Sequence, residues 1–188
     1  VESRGLGDVY KRQSQNGYIY DFGQNCAGVL ELEIKGRKGQ RITARHAEVL
    51  LNGEPFTKPL RSAKAKLEYV CGGQEETYCP KFTFMGFRYA ELCGIEPENV
   101  KVRMKVISSI DEETGDFFCS NESINRLQKN IRYSGFSNFL EIPTDCPQRD
   151  ERLGWTGDIS VFASTACFNF NMNRFLRKWL IDVKAQQT

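Results

Sequence analysis

A single histidine, His46, is present in 188 residues, which excludes a His-based nucleophilic triad and a His-rich metal site within this chain. Charge of one sign is also lacking. Lys and Arg number 26 and Asp and Glu 24, a net +2, which removes the electrostatic case for a nucleic-acid or polybasic membrane partner. No apolar run approaches the ~18 residues of a membrane helix, so no span is expected. The seven cysteines are odd in number and contain no Cys-x-x-Cys pair, against both a disulfide framework and a zinc site. They read as mostly reduced, small core residues, which fits a reducing compartment such as a bacterial cytoplasm and leaves the localisation open, the periplasm included. Gly72, Gly73 and Gly86 are turn glycines and form no phosphate loop, and neither cofactor nor metal is expected. What is present, 40% hydrophobic and 27% charged residues, is the composition of an ordinary globular chain.

The first segment, 1–13 (VESRGLGDVYKRQ), alternates charge with glycine and has no apolar core. Its 8–13 portion is similar to the translation of a transposon end used in sequencing libraries, so 1–13 is expected to be a non-native leader. The other end stops inside a helical pattern, at Ala185, Gln186, Gln187 and Thr188, and both ends are expected to be cut.

From about residue 16 to 110 the pattern is β. Strands are expected at 18–22, closed by Gly23, and at 29–34, with 41–47 as the latter's hairpin partner. Further strands are expected at 67–70, 81–84, 87–92 and 100–107, and short strands separated by turns indicate a sandwich. After Ile110 the period changes. Ser120 is the expected cap of a helix carrying Ile124, Leu127 and Ile131. Asp158 is the expected cap of a second helix through Val161, Phe162 and Ala166. Asn173 is that of a third with Leu176, Trp179, Leu180 and Val183 in one stripe. A β module followed by helices means two domains in series, here 14–112 and 113–188. Three helical segments are too few to close a large helical core, so the second domain is expected to be incomplete.

The densest polar cluster runs from Thr144 to Asp158, with four carboxylates, two arginines and Trp155 on a stretch broken by Pro147, Gly154 and Gly157. Carboxylates held close together cannot all stay ionised easily, which suits general-acid work. Arginine offers fixed donors to sugar hydroxyls, and an indole is a wall for a sugar's apolar face. These parts suit glycosidic cleavage. On composition alone, a solvated charged loop ending in a helix cap is the simpler interpretation.

The order of the residues changes that balance. Residues 138–158 (NFLEIPTDCPQRDERLGWTGD) resemble the signature of bacterial α-L-rhamnosidases, inverting glycoside hydrolases built on an (α/α)6 barrel. Residues 20–25 (YDFGQN), 45–48 (RHAE), 60–65 (LRSAKA) and 82–89 (FTFMGFRY) are similar to that family's β-sandwich. Met85 stands where many relatives carry His. The resemblance spans about 16–186. It implies a β-sandwich followed by the first helices of an incomplete (α/α)6 barrel.

By position, the resemblance implies that Glu151 is the general acid and that Asp145, Arg149, Trp155 and Asp158 hold a terminal rhamnose. Asp150 and Arg152 receive no role. An inverting enzyme also needs a base carboxyl ~6.5–9.5 Å from the acid. In the family that glutamate lies far downstream, beyond Thr188, so this chain alone is expected to have little or no activity. The implied partner is a rhamnose-containing glycoside. Two alternatives stand beside this reading: a carbohydrate-binding module with a helical tail, and a barrel glycosidase of other sugar choice.

Overall fold

A computed structural model describes residues 10–187. Two compact units emerge, one up to Ile107 together with Gln148–Asp150, the other Ser108–Pro147 together with the residues from Glu151 on. The expected boundary at 112 thus sits five residues beyond the division seen in the contacts.

The first unit is antiparallel throughout. Its strands are β1 (Tyr10–Gln13), β2 (Tyr18–Lys35), β3 (Arg41–Ala47), β4 (Leu50–Leu51), β5 (Glu54–Pro55), β6 (Lys66–Val70), β7 (Glu75–Tyr78), β8 (Met85–Cys93) and β9 (Val100–Val106). Of the expected leader, residues 1–9 lie outside the described residues, and Tyr10–Gln13 pair with Tyr18–Asp21. The 18 residues of β2 serve two sets of partners. Its first part pairs with β1 and β8, and its last part with β9 and β7. This makes the unit sandwich-like, as expected.

The two strands expected on either side of Gly23 are therefore one. Gly23 takes a φ of +77° and the register shifts between Asp21 and Cys26, so the glycine makes a bulge rather than a reversal. Asp21 fixes the bulge, accepting from Gly23 N–H at 2.8 Å and from Arg88 Nε and Nη2 at 2.7 and 2.8 Å. Nor is β3 the hairpin partner of 29–34. That stretch pairs with β9 along its whole length and with β7 from Leu32 on, and β3 pairs with β8 and β6. The strand expected at 81–84 is a loop in which Phe82 is fully exposed at a φ of +59°. Alternation along β2, β3, β8 and β9 buries Ile19, Leu30, Leu32, Ile42, Phe87, Leu92 and Val102.

The second unit contains α1 (Glu122–Asn138), the hairpin β10 (Phe139–Leu140) and β11 (Ile142–Pro143), α2 (Thr156–Asn169) and α3 (Asn173–Ala185). Its core joins Ile110, Phe139, Ile159, Ala166, Phe170, Met172 and Phe175. All three expected helices are present, and all three caps move. Asn121 caps α1 in place of Ser120, because its side chain accepts from both Ser123 N–H and Ile124 N–H, at 3.0 and 3.4 Å. Trp155 and Met172 precede α2 and α3, which puts Asp158 in the first turn of α2 and Asn173 first in α3. The expected inward stripes are only partly inward. Ile124, Leu127 and Leu180 stay exposed, while Phe136, Phe175, Leu176 and Trp179 meet the core. All seven cysteines, each among the described residues, are free thiols. Among the described residues no helix is long and apolar enough to cross a membrane.

Candidate active site

The signature residues follow the β10–β11 hairpin, which turns at Glu141 with a φ of +61°. Thr144 then ties back to the end of α1: its N–H and Oγ1 both donate to the Asn138 carbonyl, at 2.8 and 2.9 Å. From there the chain makes an excursion closed at its base. Thr144 bridges Gly154, Asp145 N–H donates to the Leu153 carbonyl at 3.3 Å, and Leu153 N–H donates to Asp145 Oδ1 at 3.1 Å. Asp145 is thus built into the neck of the loop that carries Glu151.

That neck brings three donors together. One ligand atom each of Asp145, Cys146 and Glu151 lies within 4.8 Å of the others, with Cys146 buried and both carboxylates half-buried. Sequence reasoning named the two carboxylates and missed Cys146, although it adjoins Asp145. Such a trio has the spacing to share a small cation, and equally that of a carboxyl–carboxylate pair beside a thiol.

Trp155, 47% exposed, immediately precedes α2, and Asp158 sits exposed in the helix's first turn. A carboxylate there is favoured by the positive end of the helix dipole. Arg149 is half-buried and, with Gln148 and Asp150, belongs to the first unit. Within that unit Asp150 accepts from the Ser62 hydroxyl, and this hydrogen bond holds its carboxyl below the usual carboxylate range. Burial lowers the pKa of the Arg152 guanidinium, and its backbone takes a φ of +47°. Asp150 and Arg152, which received no chemical role from the sequence, thus have local structural surroundings.

Beside Trp155 a cleft of about 440 Å³ is lined by Ile142, Leu153, Gly154, Trp179, Asp182 and the last residues of α3. Trp179, read from the sequence only as part of a helical stripe, therefore stands next to the signature. Nothing in the local pattern around position 179 distinguishes it from a core residue.

The geometry can be set against known proteins. Residues 11–110 match the model of the bacterial α-L-rhamnosidase concanavalin-like domain, and residues 112–188 that of the bacterial α-L-rhamnosidase 6 hairpin glycosidase domain. An α-L-rhamnosidase of Streptomyces avermitilis is 45% identical over 175 residues, covering 91% of this chain and 17% of its own length. One of Formosa agariphila is 42% identical over 176 residues, covering 90% and 19%. The crystal structure of the Streptomyces avermitilis enzyme complexed with L-rhamnose superposes with a TM-score of 0.90 at 43% identity, over 96% of this chain and 18% of that one. The chain thus spans about a fifth of the length of the relatives it matches. Matched in succession by two domain models of one family, the chain belongs to the bacterial α-L-rhamnosidases.

Proposed function

We propose that the chain is the segment of a longer α-L-rhamnosidase that supplies the acid side of an inverting hydrolysis. Glu151 donates its proton to the glycosidic oxygen as the bond to the anomeric carbon of a terminal rhamnose breaks. Water attacks the same carbon from the opposite face, and a base carboxylate outside this chain takes the water's proton. Asp145, Arg149 and Asp158 hydrogen-bond the sugar hydroxyls, and Trp155 covers the apolar face that bears the C5 methyl.

The observation that carries this reading is the separation of Asp145 from Glu151, at most 4.8 Å between carboxylate oxygens. An inverting pair must leave room for a water, with its carboxyls ~6.5–9.5 Å apart. Asp145 is too close to be that base and is suited to holding the sugar beside the acid. The relative crystallised with L-rhamnose, at a TM-score of 0.90, supports the choice of sugar.

A panel of aryl glycosides offered to the longer protein tests the proposal. Hydrolysis of the α-L-rhamnoside, with β-L-rhamnose as the first anomer seen by NMR, is expected. Preference for another sugar, or the α anomer first, contradicts it. EDTA is expected to leave the rate unchanged, because both proton-transfer partners are carboxyls. A rate lost to EDTA and restored by a divalent cation would assign the Asp145, Cys146 and Glu151 trio to a metal instead.

A further inference from the structure

We propose that Trp179, on α3 and outside the signature, is a positioning residue for the loop that carries Glu151 and Trp155, acting through Gly154. The inference rests on the functional reading above for its effect on rate, but its geometry is independent of it.

Gly154 packs against the six-membered ring of Trp179. A Cβ built on Gly154 would stand 2.6, 2.9 and 3.3 Å from Cη2, Cζ3 and Cζ2 of that ring. No side chain larger than hydrogen fits without displacing the indole. The indole is not loose, because Trp179 packs against the helical core that includes Phe139 and Phe175. Those two rings sit 5.0 Å apart at their centroids.

Gly154 is also the return point of the loop. It bridges Thr144, follows Leu153, which is hydrogen-bonded in both directions to Asp145, and precedes Trp155 at the start of α2. A rigid path therefore runs from the core, through Trp179, to the backbone between the proposed acid and the proposed sugar wall. If Trp179 shifts, the loop neck is free to shift with it. Displacements of about 1 Å at reacting groups cost on the order of 10²-fold in rate.

Two readouts test this. In the 188-residue chain Trp155 and Trp179 are the only two tryptophans, so its 15N spectrum has two indole N–H signals, assigned with W155F and W179F. G154A is expected to move both signals, and W179F to move that of Trp155. An unmoved Trp155 signal in both variants overturns the proposal, whatever the protein hydrolyses.

In the longer protein, G154A is expected to lower kcat on an aryl α-L-rhamnoside by about 10–100-fold with little change in KM. Adding W179F to G154A makes room for the methyl group and is expected to recover part of that loss. A double variant no better than G154A, or a loss that only tracks the unfolded fraction, contradicts the positioning role. Should the unsubstituted protein leave α-L-rhamnosides intact, the functional reading fails, and the indole signals still decide whether Trp179 holds the loop.

Discussion

At the scale of residues, the first unit hides two polar groups that its sequence pattern treats as ordinary strand positions. His46 is buried, its Nδ1 is 2.8 Å from the Ala65 carbonyl, and its ring meets Phe87 edge-on at 4.6 Å. A carbonyl only accepts, so Nδ1 carries the proton and donates. Burial pushes the imidazole pKa down from 6.5 to about 4, outweighing that hydrogen bond. The folded state stays neutral while the unfolded chain takes up a proton below 6.5. Stability from this site is therefore complete above pH 6.5 and falls as the pH drops towards 4. Urea unfolding of the first unit is expected to lose about 2 kcal/mol between pH 7 and pH 5, and H46N to flatten that slope. An equal slope in both proteins would contradict the assignment.

Glu91 is fully buried opposite Arg45 in the β3–β8 register. It accepts from Arg45 Nε and from the Ser14 hydroxyl, each at 2.7 Å. Arg45→Ala strands a buried carboxylate and is expected to cost about 3 kcal/mol by denaturant titration, where R45K retains part of the stability. Glu91 escaped sequence reading for a physical reason. Alternation marks which face a residue takes, and burial of a charge depends on a partner 46 positions away.

At the scale of elements, α1 packs on the core through its C-terminal half. A Cβ on Gly135 would stand 2.6 Å from Phe170 Cε2, and Phe170 is itself buried. G135A improves helix propensity yet is expected to destabilise the second unit by about 1–3 kcal/mol, through overpacking. A raised midpoint in helical circular dichroism would contradict that contact. The periodicity from Ile124 to Ile131 correctly announced a helix but pointed to the wrong turns. The ring-rich core gathers around Phe136 and Phe139, at the point where the helical spacing ends. The strands show the same division. Val29 to Ile34 alternates cleanly and is a strand, whereas β7 (Glu75–Tyr78) shows no such alternation, its two adjacent glutamates falling on one exposed and one half-buried position. Pairing was less legible than existence, since the partners of β2 are set by edges that come from distant strands.

At the scale of the molecule, the β-then-helix order and the family signature were legible because the signature is one contiguous string of rare residues. Asp145 and Glu151, six positions apart, come together as a loop closed by local hydrogen bonds. The contribution of Trp179 was not legible, since it reaches Gly154 across 25 residues and only through the fold. On this account the 188-residue chain supplies an acid without its base. It is expected to show no rhamnosidase turnover when purified alone, and turnover by the chain alone would contradict the absence of the base.

The central claim, that Glu151 is the acid, is tested most directly by E151Q in the longer protein, assayed with good and poor leaving groups. A poor leaving group needs the proton most, so its rate is expected to fall by about 10²–10⁴-fold, with an activated aryl rhamnoside much less affected and L-rhamnose affinity retained. Equal, small losses on both substrates would contradict the assignment of Glu151 as the acid.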